Sequence, residues 1–241
     1  FTAAVTAFDC AYSLGLSATP YRRDGLTQLI FWHLGEMHAR IDGEDLMESG
    51  AILRPEICIR PTSFMCERDP TEEYGLIIAD LTENMERNSL IVDEVAREVA
   101  SGRGVGLVLS DRKVHCRMLQ ELLEERHGIR GAILTGDTPL PERKRLVEQI
   151  QSDLVDVVFA TGQLIGEGFD ASNLTSLFLA TPIKFSGRLI QYLGRVLRPA
   201  QGKAQPKVYD FVDEKVGVLD AAARARAVVY ADIFSPDGER Q

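Results

Sequence analysis

The sequence predicts an α/β fold in which a parallel sheet is covered by helices on both faces. Short apolar strands alternate with amphipathic helices from about residue 84 to the end of the chain. Strands that are apolar on both sides are buried on both sides, as they are in parallel sheets between two layers of helices. The chain of 241 residues is 45% hydrophobic and 26% charged, which is enough apolar side chain for a sizeable core.

The first 80 residues are less regular than the rest. We predict the end of a helix over residues 1–9, a strand over 11–16, a short helix ending at Leu34 and a strand over 56–63. Residues 68–70 and the acidic stretch that follows them have the composition of a protein surface. The boundary before the main domain therefore lies somewhere within residues 36–80.

From residue 84 onwards the periodicity alternates between helix and strand. Helices are predicted over residues 85–101, 112–126, 141–150, 186–198 and 216–233, and strands over 105–109, 132–134, 156–160, 176–180 and 207–212. Gly128 stands at the usual position just past the end of a helix. Right-handed crossovers place the carboxyl ends of all these strands along one edge of the sheet, where such folds bind their ligands.

The predicted strand ends carry small and hydroxyl residues. The four ends read Ser110-Asp111-Arg112, Thr135-Gly136-Asp137, Thr161-Gly162 and Thr181-Pro182. Hydroxyl groups and backbone N–H groups at helix starts suit phosphate oxygens. The same residue types are also favoured as simple caps of helices, so capping remains the alternative at each end.

The predicted helix over residues 186–198 has one polar face. Arg188, Gln191, Arg195 and Arg198 follow one another at i, i+3, i+7 and i+10 and share that face. Arginines on adjacent turns can grip a polyphosphate, because guanidinium is planar, stays charged and donates in a fork. Residues 184–207 contain six basic residues and no acidic one in a chain of net charge −9, which indicates a placed site. A solvated helix face that is merely basic remains the alternative at this point.

Several classes of protein are excluded by what the sequence lacks. It has no apolar run long enough to cross a membrane and no visible signal peptide, so we expect a cytoplasmic protein without a membrane partner. Its four cysteines form no CxxC pair and its four histidines show no metal-ligand spacing. We therefore predict no metal site and no disulfide framework in this chain.

Five segments, taken together and in this order, resemble motifs of superfamily 2 helicases and translocases of the DEAD/DEAH type. Residues 15–20 are similar to motif III, 107–112 to motif IV, 134–143 to the segment after it, 160–170 to motif V and 191–198 to motif VI, whose pattern is QxxGRxxR. The run over residues 21–26 is most like the DNA-repair and type III restriction branches. The resemblance implies a RecA-like fold, that of the P-loop NTPase helicase C-terminal domain.

The resemblance also implies a role for individual residues in an ATP-dependent motor that acts on nucleic acid, with DNA favoured. Arg195 and Arg198 would reach the γ-phosphate, with Arg198 as the arginine finger and Gln191 supporting it. The other implied sites are Gly168 and Asp170 for the nucleotide, Ser17 and Thr19 for coupling, and Ser110, Arg112, Thr135, Gly136, Arg143 and Thr161 for the nucleic-acid backbone. An arginine finger from a second domain makes hydrolysis depend on domain closure.

The sequence departs from the complete family pattern in one respect. It contains no GxxxxGK[ST] phosphate loop and no Asp-Glu-x-His motif, which in the family lie in the first motor domain. We therefore expect residues 1–35 to be the tail of a first RecA-like domain and residues 81–241 to be the second RecA-like domain. Residues 36–80 are expected to form the connecting segment and the β-strand that enters the second domain. ATP and Mg²⁺ would serve the full-length protein together with its upstream domain, and this chain alone would not hydrolyse ATP.

Two other interpretations of the sequence stay open. A Rossmann-like nucleotide-binding domain would need GxGxxG between a strand and a helix, whereas Gly102, Gly104 and Gly106 come before a strand and Gly166 with Gly168 lacks the third glycine. A motor-like domain that only docks partners is the second alternative. The presence of both motif VI arginines and of Asp170 argues against it.

Overall fold

The computed structural model describes residues 2–7, 9–17, 25–102, 104–152, 154–162, 173–183 and 186–234. The chain divides into two compact units, residues 1–42 and residues 43–241. Each unit is described by itself below.

The described residues of the first unit form two short helices, α1 (Thr2–Val5) and α2 (Gln28–Leu34). The strand predicted over residues 11–16 is wrong, because residues 11–17 have no regular secondary structure. Tyr12, Leu14 and Leu16 are 94%, 83% and 86% exposed. A strand needs a neighbour for its N–H and C=O groups, and the described part of this unit holds no second strand.

The second unit alternates strands and helices. Its strands are β1 (Glu56–Pro61), β2 (Val105–Ser110), β3 (Ala132–Leu134), β4 (Val157–Thr161), β5 (Leu174–Leu179) and β6 (Lys207–Val212). Its described helices are α3 (Gly43–Glu48), α4 (Tyr74–Glu83), α5 (Met85–Ala100), α6 (Lys113–His127), α7 (Leu140–Gln151), α8 (Ser186–Val196) and α9 (Gly217–Phe234). The regular alternation predicted from residue 84 onwards is confirmed, and only the ends of the elements differ.

The strands form one six-stranded sheet in the order β1-β6-β5-β2-β4-β3, and every pair in it is parallel. All strand carboxyl ends therefore lie along one edge, called the carboxyl edge below. The predicted class, a parallel sheet with helices on both faces, is confirmed.

Two apolar clusters fill the space on the two faces of the sheet. Leu107 of β2 points into the cluster beneath α7, α8 and α9, and its neighbour Val108 points into the cluster beneath α5 and α6. Both side chains are at most 1% exposed. This alternation across one strand is the reason that β2 reads as a continuous apolar run.

The surface predicted for residues 68–70 and the acidic stretch after them is confirmed, and the helix that follows is partly buried. Residues 68–73 are exposed or half-buried, but α4 buries Ile77, Ile78 and Leu81 in a third cluster with Phe64. The sequence prediction did not include this apolar stripe of α4, because acidic residues come directly before it in the chain. α4 therefore packs beside the carboxyl ends of β1 and β6.

Local signals explain where two of the helices begin and end. The Asn84 side chain caps α5 by accepting a hydrogen bond from the backbone N–H of Arg87 at 2.9 Å. Gly128 ends α6 in the left-handed conformation, with φ of 68°. The stop predicted at Gly128 is confirmed, since this conformation strongly favours glycine.

Candidate nucleotide and nucleic-acid interface

Helix α8 has one buried face and one polar face. Leu189, Leu193 and Val196 are at most 1% exposed and pack on the sheet. On the other side Arg188 and Gln191 are exposed. Arg195 on the same helix is half-buried, and Arg198, predicted to share this face, lies two residues beyond the end of the helix.

The first turn of α8 lies beside the carboxyl edge. Arg188 Nη1 is 3.9 Å from Asp111 Oδ1, just past the end of β2. Both side chains are about half exposed, so this ion pair contributes little to stability. It does show that α8 and the end of β2 border the same surface.

A second contact joins α8 to the end of β4. A Cβ added to Gly162 would collide with the hydroxyl of Tyr192, so only glycine allows this close approach. Burial raises the pKa of the Tyr192 hydroxyl, which keeps it neutral at physiological pH. The start of the segment that resembles motif V is thus held against the helix that resembles motif VI.

The polar side chains of α8 and its end are accessible to a ligand. Arg195 and Arg198 are half-buried and Gln191 is exposed. In the part of the chain that the structure describes, the side chains of Gln191 and Arg195 form no hydrogen bond or ion pair. An arginine without an internal acceptor has its donors available for an anion.

The strand ends predicted to bind nucleic acid lie next to one another. Ser110 of β2 pairs in register with Thr161 of β4, and Leu134 of β3 pairs with Ala160 of β4. Thr135, the residue after β3, therefore lies beside the end of β4. Ser110 and Thr135 are both 2% exposed, whereas Thr161 is half-buried.

The hydroxyl of Ser110 is engaged inside the protein. It accepts a hydrogen bond from the backbone N–H of Arg112 at 3.1 Å and lies 3.0 Å from Nδ1 of His115. Nε2 of His115 is 2.9 Å from Oδ1 of Asn88, whose amide nitrogen donates to the carbonyl of Thr82 at 2.8 Å. The Asn88 oxygen must accept, so His115 carries its proton on Nε2 and Ser110 donates to Nδ1.

This network makes the folded protein sensitive to acid. Burial, and then the positive charge of Arg87, lowers the pKa of His115 to about 3 from its ordinary value of 6.5. The unfolded chain then binds one more proton than the folded chain between these two pH values, so stability falls as the pH falls from about 6.5 towards 3.

We expect His115→Gln to remove this dependence on pH. The free energy of unfolding, measured by urea titration between pH 6 and pH 4, should lose a slope of about 1.4 kcal/mol per pH unit. His38→Gln, which changes an exposed imidazole, is the control and should keep the slope of the parent protein. An unchanged slope in His115→Gln would show that this imidazole is protonated in the folded state.

The loop after β3 is held by Arg143. Its Nε donates to the carbonyl of Thr138 at 2.7 Å, and its Nη2 donates to the carbonyl of Gly136 at 3.3 Å. Within the loop, the backbone N–H of Thr135 donates to the hydroxyl of Thr138 at 3.0 Å. Arg143, Gly136 and Thr135, three of the residues predicted from the sequence, therefore form one connected loop.

Two further basic residues at this edge were missed by the sequence reasoning. Lys113 contacts Asp137 through an ion pair, and Arg117 Nη2 is 3.7 Å from the other oxygen of the same carboxylate. The hydrogen bond from Lys113 lowers the pKa of Asp137. The i, i+4 spacing of Lys113 and Arg117 on one helix could have revealed them.

Arg112, by contrast, was predicted and is exposed, with Nη2 3.5 Å from the carbonyl of Gly75 in α4. Together with Lys113 and Arg117 it places three exposed cations on the first turns of α6 and just before it. These three cations outnumber by one the two exposed carboxylates beside them, those of Asp111 and Asp137.

Some of the predicted residues cannot be placed. Gly168, Asp170 and Thr19 lie outside the described residues. Ser17 is exposed and belongs to the first unit.

Other chemistries find no support in the described residues. They contain no group of three His, Cys, Asp or Glu side chains that could hold a metal ion. No helix among them combines the length and the apolar character needed to cross a membrane. Burial raises the pKa of the Cys116 thiol to about 12, so this cysteine next to His115 is not a nucleophile.

The glycines that might suggest a Rossmann phosphate loop are on the wrong side of the strand. Gly102 and Gly104 have positive φ and come before β2, at the edge opposite to the strand ends. A side chain at Gly104 would collide with Thr175. Their role is a tight turn into the strand rather than a phosphate loop after it.

Residues 86–200, which run from α5 past the end of α8, match the family model of the helicase conserved C-terminal domain. Residues 86–200 are therefore a helicase C-terminal domain, similar to those of superfamily 2. Within this domain, α8 corresponds to the predicted motif VI and the ends of β2 and β4 to the predicted motifs IV and V.

Two viral proteins illustrate the helicase relatives. "Putative helicase 22" of Sulfolobus islandicus filamentous virus (isolate Iceland/Hveragerdi) is 27% identical over 213 residues, which are 83% of this chain and 37% of that protein. Probable helicase D10 of Escherichia phage T5 is 27% identical over 222 residues, which are 92% of this chain and 47% of that protein. The chain thus spans less than half the length of either relative.

The solved structure of T4 UvsW has the same fold as the helicase C-terminal domain described here. The TM-score is 0.57 at 17% identity, over 87% of this chain and 44% of that one. Similarity at this level of identity reports on the fold alone. The RecA-like fold implied by the motifs is confirmed.

Proposed function

We propose that this chain is the second motor domain of an ATP-dependent superfamily 2 helicase or translocase that acts on nucleic acid, with DNA as the favoured substrate. The observation that carries the proposal is the polar face of α8. Gln191 and Arg195 lie on a helix whose other face is buried, and among the described residues none accepts a hydrogen bond from either side chain. A rigid helix that presents the guanidinium group of Arg195 without an internal acceptor is suited to an anionic ligand.

The ligand we assign to this face is the γ-phosphate of ATP. Phosphoryl transfer requires charge neutralisation and positioning more than covalent help from the protein. Arg198 would act as the arginine finger, Arg195 would share the charge, and Gln191 would orient them. Gly168 and Asp170 would contact the rest of the nucleotide, as the similarity to motif V implies.

The nucleic-acid backbone would lie across the ends of β2, β4 and β3. Direct contacts would come from exposed cations, above all Arg112, with Lys113 and Arg117 adding positive charge. Thr161 and Gly136 border this surface, and Arg143 supports its loop. The buried hydroxyl of Ser110 would shape its loop rather than touch the phosphates, since it already has internal partners. Thr135 is equally buried and is tied to its loop through its backbone N–H.

The chain lacks the other half of an ATP site. No GxxxxGK[ST] loop occurs in it, and the described residues hold no metal cluster. ATP and Mg²⁺ would therefore be bound mainly by an upstream RecA-like domain of the full-length protein, in a compartment that we expect to be the cytoplasm. Ser17 and Thr19 would couple the nucleotide state to closure of the two domains. By itself the chain would supply the arginine finger but not the loop that binds the phosphates of ATP.

The preference for DNA rests on the run over residues 21–26, which is most like the DNA-repair and type III restriction branches. The cations at the strand ends give no preference of their own, because contacts to phosphates carry little sequence information and do not read the 2′-hydroxyl. Stimulation by RNA alone would overturn this part of the proposal.

The decisive experiment measures ATP hydrolysis by the full-length protein with single- and double-stranded DNA and RNA, beside the 241-residue chain alone. We expect nucleic acid to stimulate turnover by the full-length protein, and the chain alone to show none. Absence of turnover in the full-length protein under every condition would favour a docking module. Turnover by the isolated chain would refute the division of the ATP site between two domains.

A further inference from the structure

The end of α8 is fixed by a lysine that follows it in the chain. Nζ of Lys203 donates hydrogen bonds of 2.7 Å to the backbone carbonyl of Val196 and of 2.7 Å to that of Arg198. The carbonyl between them, that of Leu197, accepts from the backbone N–H of Leu53 at 2.8 Å. Three successive carbonyl groups at the end of the helix, which would otherwise lack an intrahelical partner, are thus all bonded.

A tight turn makes this contact possible. The backbone N–H of Lys203 donates to the carbonyl of Ala200 at 3.1 Å, and Gly202 adopts a φ of 74°. This left-handed conformation favours glycine, and it turns the chain back towards the helix that has just ended. Lys203 is therefore directed to the end of α8 by the backbone itself.

The ammonium group is well matched to this position. The carboxyl end of a helix carries a partial negative charge, and a cation there is favourable. Hydrogen bonds from a charged donor are stronger than neutral ones. Lys203 is half-buried, and burial lowers its pKa to about 8. The site therefore keeps an ammonium group at neutral pH in spite of its burial.

We propose that Lys203 is a positioning residue for Arg198, because it fixes the backbone on both sides of Leu197 and so sets the direction in which the Arg198 side chain leaves the end of α8. The inference rests on the proposed function, in which Arg198 is the arginine finger. Arg198 follows the last residue of the helix, Val196, by two positions. Without Lys203 the carbonyl groups of Val196 and Arg198 would lose these hydrogen bonds, and the backbone of Arg198 would be less firmly fixed.

The position of Lys203 allows the two roles, stability and positioning, to be separated. Lys203 lines a cavity of about 380 Å³ at the amino edge of the sheet, opposite to the carboxyl edge. Removal of the ammonium group opens this space to water, which can satisfy polar groups there. We therefore expect Lys203→Met to stay folded.

The test uses steady-state ATP hydrolysis by the full-length protein with saturating nucleic acid. We expect Lys203→Met to lower kcat about tenfold while the KM for ATP changes less than about twofold, since misplacement of a catalytic group mainly affects the transition state. Lys203→Arg, which keeps the cation, should recover most of the loss. Lys207→Met is the matched control, because Lys207 is also half-buried but bonds Glu98 at 3.3 Å and not α8.

The second arm places Lys203→Met in an Arg198→Ala background. If the lysine acts through the arginine, the double variant has the same kcat as Arg198→Ala alone. If Lys203→Met lowers kcat in the Arg198→Ala background by the same factor as in the parent, the inference is overturned. It is also overturned if the Lys203→Met variant is folded and has the kcat of the parent. Both outcomes leave the proposed function intact.

Hydrogen exchange provides a readout that does not depend on activity. The amides of residues 196–198 and 200 should exchange faster in Lys203→Met than in the parent, and Lys207→Met should leave them unchanged. Unchanged exchange in Lys203→Met would show that the backbone is fixed without the lysine. A parent protein with no ATP turnover at all would refute the proposed function and, with it, the assignment of Lys203 to Arg198.

Discussion

Replacement of Arg198 by alanine is expected to lower the kcat of nucleic-acid-stimulated ATP hydrolysis by the full-length protein by about 10³–10⁵-fold. The guanidinium neutralises charge that develops on the transferred phosphoryl group, and alanine provides nothing in its place. Binding of nucleic acid should change much less, because the cations at the strand ends are untouched. The measurements are steady-state ATP turnover and a nucleic-acid binding titration on the same preparations.

Two further variants show whether the effect belongs to this arginine. Arg198→Lys keeps a positive charge but loses the planar fork, so it should recover only part of the activity. Arg224→Ala removes an exposed arginine of α9, paired with Asp220 at 2.8 Å, and should stay within about twofold of the parent. If Arg198→Ala hydrolyses ATP as fast as the parent, then the end of α8 does not carry the finger.

The largest expected effect on stability comes from Arg87→Met. The side chains of Arg87 and Asp213 are 0% and 1% exposed, with Nε 2.8 Å from Oδ1. Arg87 also donates from Nη1 to the carbonyl of Ala180 at 2.6 Å, and the hydroxyl of Thr62 donates to Asp213 at 2.5 Å. The network therefore joins α5 to the carboxyl ends of β5, β6 and β1.

Removal of Arg87 leaves the Asp213 carboxylate buried without its cation. Loss of one partner of a buried ion pair costs about 3–5 kcal/mol, and we expect a loss of this size in the free energy of unfolding measured by urea titration. Arg130→Met breaks an exposed pair with Glu124 and should cost no more than about 1 kcal/mol. The double variant Arg87→Met/Asp213→Leu should regain part of the loss, because it removes the stranded charge.

Equal stability of Arg87→Met and the parent would mean that water reaches Asp213 or that the carboxyl becomes protonated. Measurement at two pH values separates these outcomes, since protonation would make the loss smaller in acid. Either result would contradict a dry, charged network at this edge.

Much of the site could be anticipated because its signals are local. The i, i+3, i+7 spacing of Arg188, Gln191 and Arg195 fixes which face of a helix they share, whatever the helix packs against. The apolar runs of β2, β4 and β5 predicted a sheet buried on both sides. The wrong strand over residues 11–16 shows the limit of such signals, since periodicity cannot supply the neighbour that a strand needs.

Residues that are distant in sequence escaped prediction. Arg87 and Asp213 are 126 positions apart, and Asn88 and His115 are 27 apart. Nothing in the local pattern of either member points to the other. Ser110 illustrates the consequence, because its position after a strand suggested a phosphate ligand while its buried hydroxyl is already bonded to His115.

By itself the sequence determined the class of the fold, the edge at which the strands end and the polar face of α8. These features follow from backbone periodicity and the handedness of crossovers, which act over a few residues or one connection. The tertiary structure alone decided the strand order β1-β6-β5-β2-β4-β3, the burial of Ser110 and the contact of Lys203 with the end of α8. Those features depend on the packing of segments far apart in the chain, where the partner of each group is set by the shape of the whole core.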